Sequence, residues 1–109
     1  MARFRFNGWA KYPDHRKDDK IAERAAKQLG LRVRPAVHQG RPVVLEGGAI
    51  DVCGWGTILT TEECLLDPLV QVRNPGFTHA DYERVFLENL GASRTIWLGK
   101  GIAGDDTHG

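Results

Sequence analysis

The sequence predicts a mixed α/β fold. Three observations carry that reading: short apolar runs bounded by Gly, Pro and Asn, two stretches with apolar residues at helical spacing, and a glycine, Gly30 or Gly91, closing each. At 109 residues the chain has the size of one domain, and 41% hydrophobic with 27% charged residues is the balance of a globular protein with a single core. No apolar run approaches the roughly 20 residues of a membrane span, and residues 1–6 contain no apolar stretch of the secretory-signal kind. A cytoplasmic protein is therefore expected. Fifteen Lys and Arg stand against 14 Asp and Glu, a net of +1 that gives no field to draw nucleic acid or an anionic membrane, so neither is expected as a partner.

Taken in order, residues 3–6 alternate charged and aromatic side chains as a short strand does, and Asn7-Gly8 breaks it. In 18–29, Ile21, Ala22, Ala25, Ala26 and Leu29 fall at helical spacing and Gly30 supplies the stop. Residues 31–37 read as a strand, with Pro35 marking an edge or bulge, and 39–42 read as a turn. Residues 43–45 restart a strand. Residues 49–53 and 57–60 then form a hairpin about Gly54-Trp55-Gly56. Thr60 with Glu63 has the spacing of a capping box, so a brief helical turn carrying Cys64, Leu65 and Leu66 follows, ended by Asp67-Pro68. After the loop at 73–76, Thr78 with Asp81 forms a second capping box, and Phe77 with Tyr82 has the spacing of a hydrophobic staple. Tyr82, Val85, Phe86 and Leu90 make the apolar stripe of that helix, closed by Gly91, and 95–98 is the last strand. Residues 99–109 show no periodicity and are expected to form a loop, mobile unless something orders it.

The stretch with the most chemical content is Val43-Val44-Leu45-Glu46-Gly47-Gly48. An acid at the end of an apolar strand, followed by two glycines, suits a charge delivered to where backbone and ligand meet. The same pattern also fits a strand running into an ordinary turn with Glu46 solvated. Cys53 and Cys64, with no CxxC pair, read as two reduced, packed cysteines. The histidines at 15, 38, 79 and 108 lack ligand spacing, so neither a metal nor a cofactor is expected.

Four segments in one order, FRFNGWAKY, VVLEGGAIDVCGWGTILTTEECLL, RNPGFTHADYE and TIWLGKGIAGDDTHG, resemble the agmatine deiminase and bacterial-type (Porphyromonas-type) peptidylarginine deiminase family. The resemblance covers most of the chain. It implies the pentein fold, a β/α propeller, of which this chain would hold about two αββαβ-type units with mixed sheet. It implies a chemistry as well: hydrolysis of a guanidinium to a ureido group with loss of ammonia, by a cysteine thiolate, a proton-handling histidine and carboxylates that grip the cation. Carried over by residue, Glu46 matches the catalytic acid of the family's EGG motif, and Gly47 and Gly48 match its glycines. Asn7, Gly8 and Trp9 match a segment beside the substrate channel, with Ala10 where a glycine is often found. Trp9 and Trp55 equally suit packing roles.

The departures limit what is implied. In the family the catalytic histidine follows GDDTHG directly, the nucleophilic cysteine lies far downstream, and a further substrate-binding aspartate lies upstream of FNGW. Cys64 and His108 match neither catalytic position. The expectation is therefore an interior fragment, 1–109, of a guanidine deiminase, inactive alone and prone to associate with itself through unpaired strand edges. The substrate expected is small and cationic. Agmatine, giving N-carbamoylputrescine for putrescine synthesis, is favoured over a peptidylarginine. A non-enzymatic binding or assembly module on the same scaffold is the reading from another class.

Overall fold

A computed structural model describes residues 1–108, and Gly109 lies outside the described residues. The chain begins with β1 (Ala2–Arg3), which pairs in parallel with β2 (Arg34–Pro35), Ala2 opposite Arg34. The same N-terminal stretch continues onto a second partner: Arg5 bridges Val44, its amide donating to the Val43 carbonyl at 2.8 Å and its carbonyl accepting from the Leu45 amide at 3.2 Å. Between those two partners the hairpin of β3 (Val37–His38) and β4 (Arg41–Pro42) stands out. Gln39 and Gly40 close it at φ +49° and +76°, the left-handed pair that a two-residue hairpin turn requires. The Val43 amide seals its base on the Ala36 carbonyl at 3.0 Å. The strands predicted at 31–37 and 43–45 are thus cut short, the second to a single bridge. Pro35 and Pro42 have no N–H to extend a ladder, and the chain turns away at each.

The predicted first helix is present as a 3-10 turn, Asp18–Lys20, running into α1 (Ile21–Gln28), with Gly30 at φ +65° beyond it. Its apolar stripe is largely uncovered. Ala26 is buried, whereas Ile21 and Leu29 remain 59% and 69% exposed. Polar contacts hold it instead: the Asp19 carboxylate accepts from the Phe6 amide at 2.8 Å and pairs with Arg5 at 2.8 Å and Arg3 at 3.4 Å.

The C-terminal half is a three-stranded mixed sheet. β5 (Ile50–Val52) and β6 (Thr57–Thr61) form the predicted hairpin, Ile50 opposite Thr60, and β7 (Arg94–Leu98) lies parallel on the other side of β6. A parallel neighbour requires a crossover. α2 (Glu62–Leu65) and α3 (His79–Leu90) supply it. At the start of α3 the Thr78 and Asp81 side chains exchange the two bonds of a capping box, the Phe77 and Tyr82 rings sit 5.2 Å apart as the predicted staple, and Gly91 at φ +71° makes the left-handed stop.

Two local expectations are corrected. Thr61, not Thr60, caps α2 by accepting from the Cys64 amide at 3.1 Å. Strand alternation turns Thr60 inward, where its hydroxyl donates to the Ala49 carbonyl at 2.7 Å. Cys53, expected to be packed, is exposed, because β5 ends there and the hairpin tip carries it and the 93% exposed Trp55 away from the core. Cys64 is buried as expected.

The core gathers Val43, Ile58, Tyr82, Val85 and Phe86, so α3 packs against the sheet and against the extended stretch that leads to Glu46. Among the described residues no helix is long and apolar enough to cross a membrane. From Gly99 to His108 there is neither helix nor strand. That segment is nonetheless tied down. The Gly101 amide donates to the Glu63 carboxylate at 2.8 Å, and Lys11 pairs with Asp106 at 2.8 Å.

Candidate active site

The site begins with the extended stretch at Val43–Leu45. The side chain of Asn74 takes the place of a neighbouring strand there, accepting from the Val44 amide at 2.9 Å and donating to its carbonyl at 2.7 Å. Glu46 follows in extended conformation and stands immediately before the 3-10 turn Gly47–Ala49, making no side-chain capping bond to it, and that turn leads the chain back into the sheet. Its side chain is thereby directed inward. Glu46 is only 8% exposed, so the solvated alternative does not hold.

A charged group at that depth requires a partner. Arg73, its side chain fully buried, donates from Nε to Glu46 Oε1 at 3.3 Å, from one terminal nitrogen to the Gln71 carbonyl at 3.0 Å and from the other to the Thr107 carbonyl. The second oxygen, Glu46 Oε2, is buried and has no hydrogen-bond partner among the described residues. Beside it lies a cavity of about 210 Å³ lined by Trp9, Glu46, Gly48, Ala49, Arg73, Asp105 and Thr107. Asp105 is held in place by Thr107, whose amide and hydroxyl donate to Oδ1 at 2.9 and 2.8 Å. Among the described residues, two acids, Glu46 and Asp105, and one guanidinium, that of Arg73, line the cavity.

Trp9 reaches the cavity from an unusual turn. Gly8, Trp9 and Ala10 stand at φ +67°, +59° and +51°, three left-handed residues in succession, two of them with side chains that disfavour it. Asn7 holds the turn by accepting from the Ala10 amide at 2.9 Å. A Cβ on Gly8 would fall 2.3 Å from the Tyr12 carbonyl oxygen, so only glycine fits. The Trp9 indole packs edge-on against Phe6 and Tyr12, with centroids 5.0 and 6.1 Å away. Of the residues singled out from sequence, Glu46, Trp9 and Gly48 therefore line one cavity. Asn7 shapes the turn that presents Trp9, and Gly47 opens the 3-10 turn beside it. Gly47 and Gly48 both have open space where a Cβ would point.

Arg73, Asp105 and Thr107 were not singled out by sequence. Arg73 sits in a short apolar stretch before Asn-Pro, and its depth is the only sign of its role. Asp105 and Thr107 lie in a segment without periodicity, brought in by long-range contacts: Lys11 Nζ and the Tyr12 hydroxyl bond Asp106 Oδ2 at 2.8 and 3.2 Å, and Gln71 Nε2 donates to the Asp106 carbonyl at 3.1 Å.

Neither cysteine is placed to act as nucleophile in this cavity. Cys64 is 2% exposed, and burial pushes its thiol up to about 11, against the opposing pull of Arg73. Cys53 lies at the hairpin tip. His38 and His79 pair with Asp81 and Glu62, each at 2.8 Å, and among the described residues no group of three or more His, Cys, Asp or Glu could hold a metal ion.

Over nearly its whole length the chain is similar to known proteins. A protein of Selenomonas ruminantium provisionally named agmatine deiminase is 40% identical over 96% of this chain, which spans 28% of that relative's length. Among solved structures, the agmatine deiminase of Enterococcus faecalis superposes with TM-score 0.83 at 31% identity, covering 99% of this chain and 29% of that one. A C. jejuni agmatine deiminase with substrate bound gives 0.76 at 29% identity over 98% of this chain and 30% of its own. A Porphyromonas gingivalis protein provisionally named arginine deiminase gives 0.72 at 38% identity, over 99% of this chain and 31% of its own. Over that span the fold is the mixed α/β pentein class that the resemblance implied. The model of the Porphyromonas-type peptidyl-arginine deiminase family matches residues 1–109, and the chain belongs to that family.

Proposed function

We propose that this chain forms one wall of the active site of a guanidine deiminase whose substrate is agmatine. The observation that carries the reading is Glu46, a buried acid with one oxygen held by Arg73 and the other without a hydrogen-bond partner among the described residues, beside a cavity that Asp105 also lines. A guanidinium is planar, permanently charged and presents N–H donors in a fixed fork, so it matches a carboxylate directed into such a cavity. Trp9 offers an aromatic wall on which a planar cation can rest. Agmatine is preferred to peptidylarginine because the relative from Selenomonas ruminantium and the structures from Enterococcus faecalis and C. jejuni all carry that substrate in their names.

The reaction attached to this reading is thiolate attack on the guanidinium carbon, loss of ammonia, and hydrolysis of the covalent adduct to the ureido product, N-carbamoylputrescine. In a cytoplasmic enzyme that product would feed putrescine formation. Glu46 grips the cation and stabilises the charge that shifts during attack. The thiolate and the proton-handling histidine are assigned to the remainder of a longer protein, of which residues 1–109 are an interior part. The chain alone is then inactive.

The test is an assay of the longer protein with agmatine, free arginine and an arginyl peptide, reading ammonia and ureido product. Agmatine is expected to turn over fastest, and Glu46→Gln to lower that turnover by about 100-fold or more with the fold retained. Product from the peptide alone would assign the peptidylarginine reaction. No ureido product from any of the three would leave a binding module on a deiminase scaffold.

A further inference from the structure

Arg73 and Glu46 do not meet as arginine and carboxylate usually do. The common pairing is a fork on a fork, with two guanidinium nitrogens taking both carboxylate oxygens. Here a single nitrogen, Nε, takes a single oxygen, Oε1, and the two terminal nitrogens turn away to the carbonyls of Gln71 and Thr107. The guanidinium is thus spread over three separate stretches of chain while its side chain is fully buried. Glu46 Oε2 is left buried and, among the described residues, unpartnered. A buried pair held for stability alone gains most by satisfying every polar atom, and this one forgoes that.

We propose that Arg73 is a positioning residue for a guanidinium ligand: it takes Oε1 so that Oε2 stays directed at the cavity, and it holds the Thr107 carbonyl so that the segment bearing Asp105 stays against the same cavity. The inference rests on the guanidinium reading given above. Lysine could not do the same work. Its ammonium is a point charge without the planar divergence that reaches three acceptors on three segments. Arg73 acts through Glu46, so its effect on a ligand must depend on the Glu46 carboxylate being present.

A double-mutant cycle in the longer protein, with its nucleophilic cysteine replaced by serine so that agmatine binds without turning over, tests this dependence. Agmatine is titrated against the Trp9 indole resonance, with butane-1,4-diamine as the cation that lacks a guanidinium, and thermal unfolding is followed alongside. Arg73→Gln is expected to weaken agmatine binding about tenfold or more in the parent protein and by less than about twofold in the Glu46→Gln background. Arg73→Lys should fall between the parent and Arg73→Gln. Should Arg73→Gln fail to fold, the cycle with Arg73→Lys reads the same coupling. Equal losses in both backgrounds, or agmatine binding within twofold of the parent for Arg73→Gln, would overturn the positioning role while leaving the guanidinium reading in place. Absence of any preference for agmatine over the diamine in the parent protein would overturn the guanidinium reading and the role built on it together.

Discussion

Asn74 stands in for a strand beside Val44. Its amide group accepts from the Val44 N–H at 2.9 Å and donates to the Val44 carbonyl at 2.7 Å, and the same nitrogen donates to the Tyr82 hydroxyl at 2.8 Å. One buried side chain therefore satisfies both backbone groups two residues before Glu46 and ties them to α3. Asn74→Ala leaves those groups without partners and is expected to cost about 2–4 kcal/mol of stability. Asn74→Asp should cost at least as much, because a carboxylate cannot donate to either the carbonyl or the hydroxyl. Urea unfolding of the three proteins measures the difference. An Asn74→Ala midpoint equal to the parent's would show that Val44 finds other partners.

The left-handed turn beneath Trp9 makes two opposite predictions one residue apart on either side of it. Ala10 holds φ +51° with a Cβ that disfavours that region, so Ala10→Gly relieves strain and should raise stability by about 0.5–1 kcal/mol. Gly8→Ala places a Cβ 2.3 Å from the Tyr12 carbonyl oxygen and should lower it by about 2 kcal/mol or more. Thermal unfolding of both variants decides the point, and destabilisation by Ala10→Gly would contradict the strain argument.

These two sites also show where sequence reading succeeded and where it stopped. The α3 cap, its staple and its glycine stop depend on residues within a few positions of each other, and all were legible. The strand at 43–45 was not legible as a bridge, because its partners are Arg5 and the Asn74 side chain, distant in sequence. The apolar approach to Glu46 and its two glycines suited an inward acid and a solvated one alike, and only the folded chain shows the side chain buried. Arg73 was not legible: an arginine's burial depends on which distant segments fold around it, here the carbonyls of Gln71 and Thr107. The exposed stripe of α1 misled in the other direction. Helical spacing promised a covered face, but spacing reports only what a helix could bury.

The two cysteines should separate cleanly under alkylation. Cys53 is exposed, and the Trp55 amide, donating to its sulfur at 3.3 Å, lowers its thiol below the ordinary value. Cys64 is buried, with its thiol raised to about 11. Iodoacetamide at neutral pH is expected to modify Cys53 in the folded chain and to leave Cys64 untouched until denaturant is added. Peptide mass spectrometry reads the site directly, and early labelling of Cys64 would contradict its burial.

The same burial makes stability depend on alkaline pH. Cys64 is raised from 9.0 to about 11 and Tyr82 from 10.0 to about 12, in both cases chiefly because burial penalises the ionised form. Between the unfolded and folded values the folded chain holds protons that the unfolded chain has released, so stability falls as pH rises. The contribution is fully present below pH 9 and is lost as pH climbs through about 11 for Cys64 and about 12 for Tyr82. The urea midpoint is expected to be level from pH 7 to 8.5 and to decline steadily above pH 9. Tyr82→Phe lowers the midpoint at every pH, since it removes the acceptor of the Asn74 bond, but it should flatten the decline above pH 10 because the ionising group is gone. An unchanged slope in that variant would place the alkaline loss on other groups.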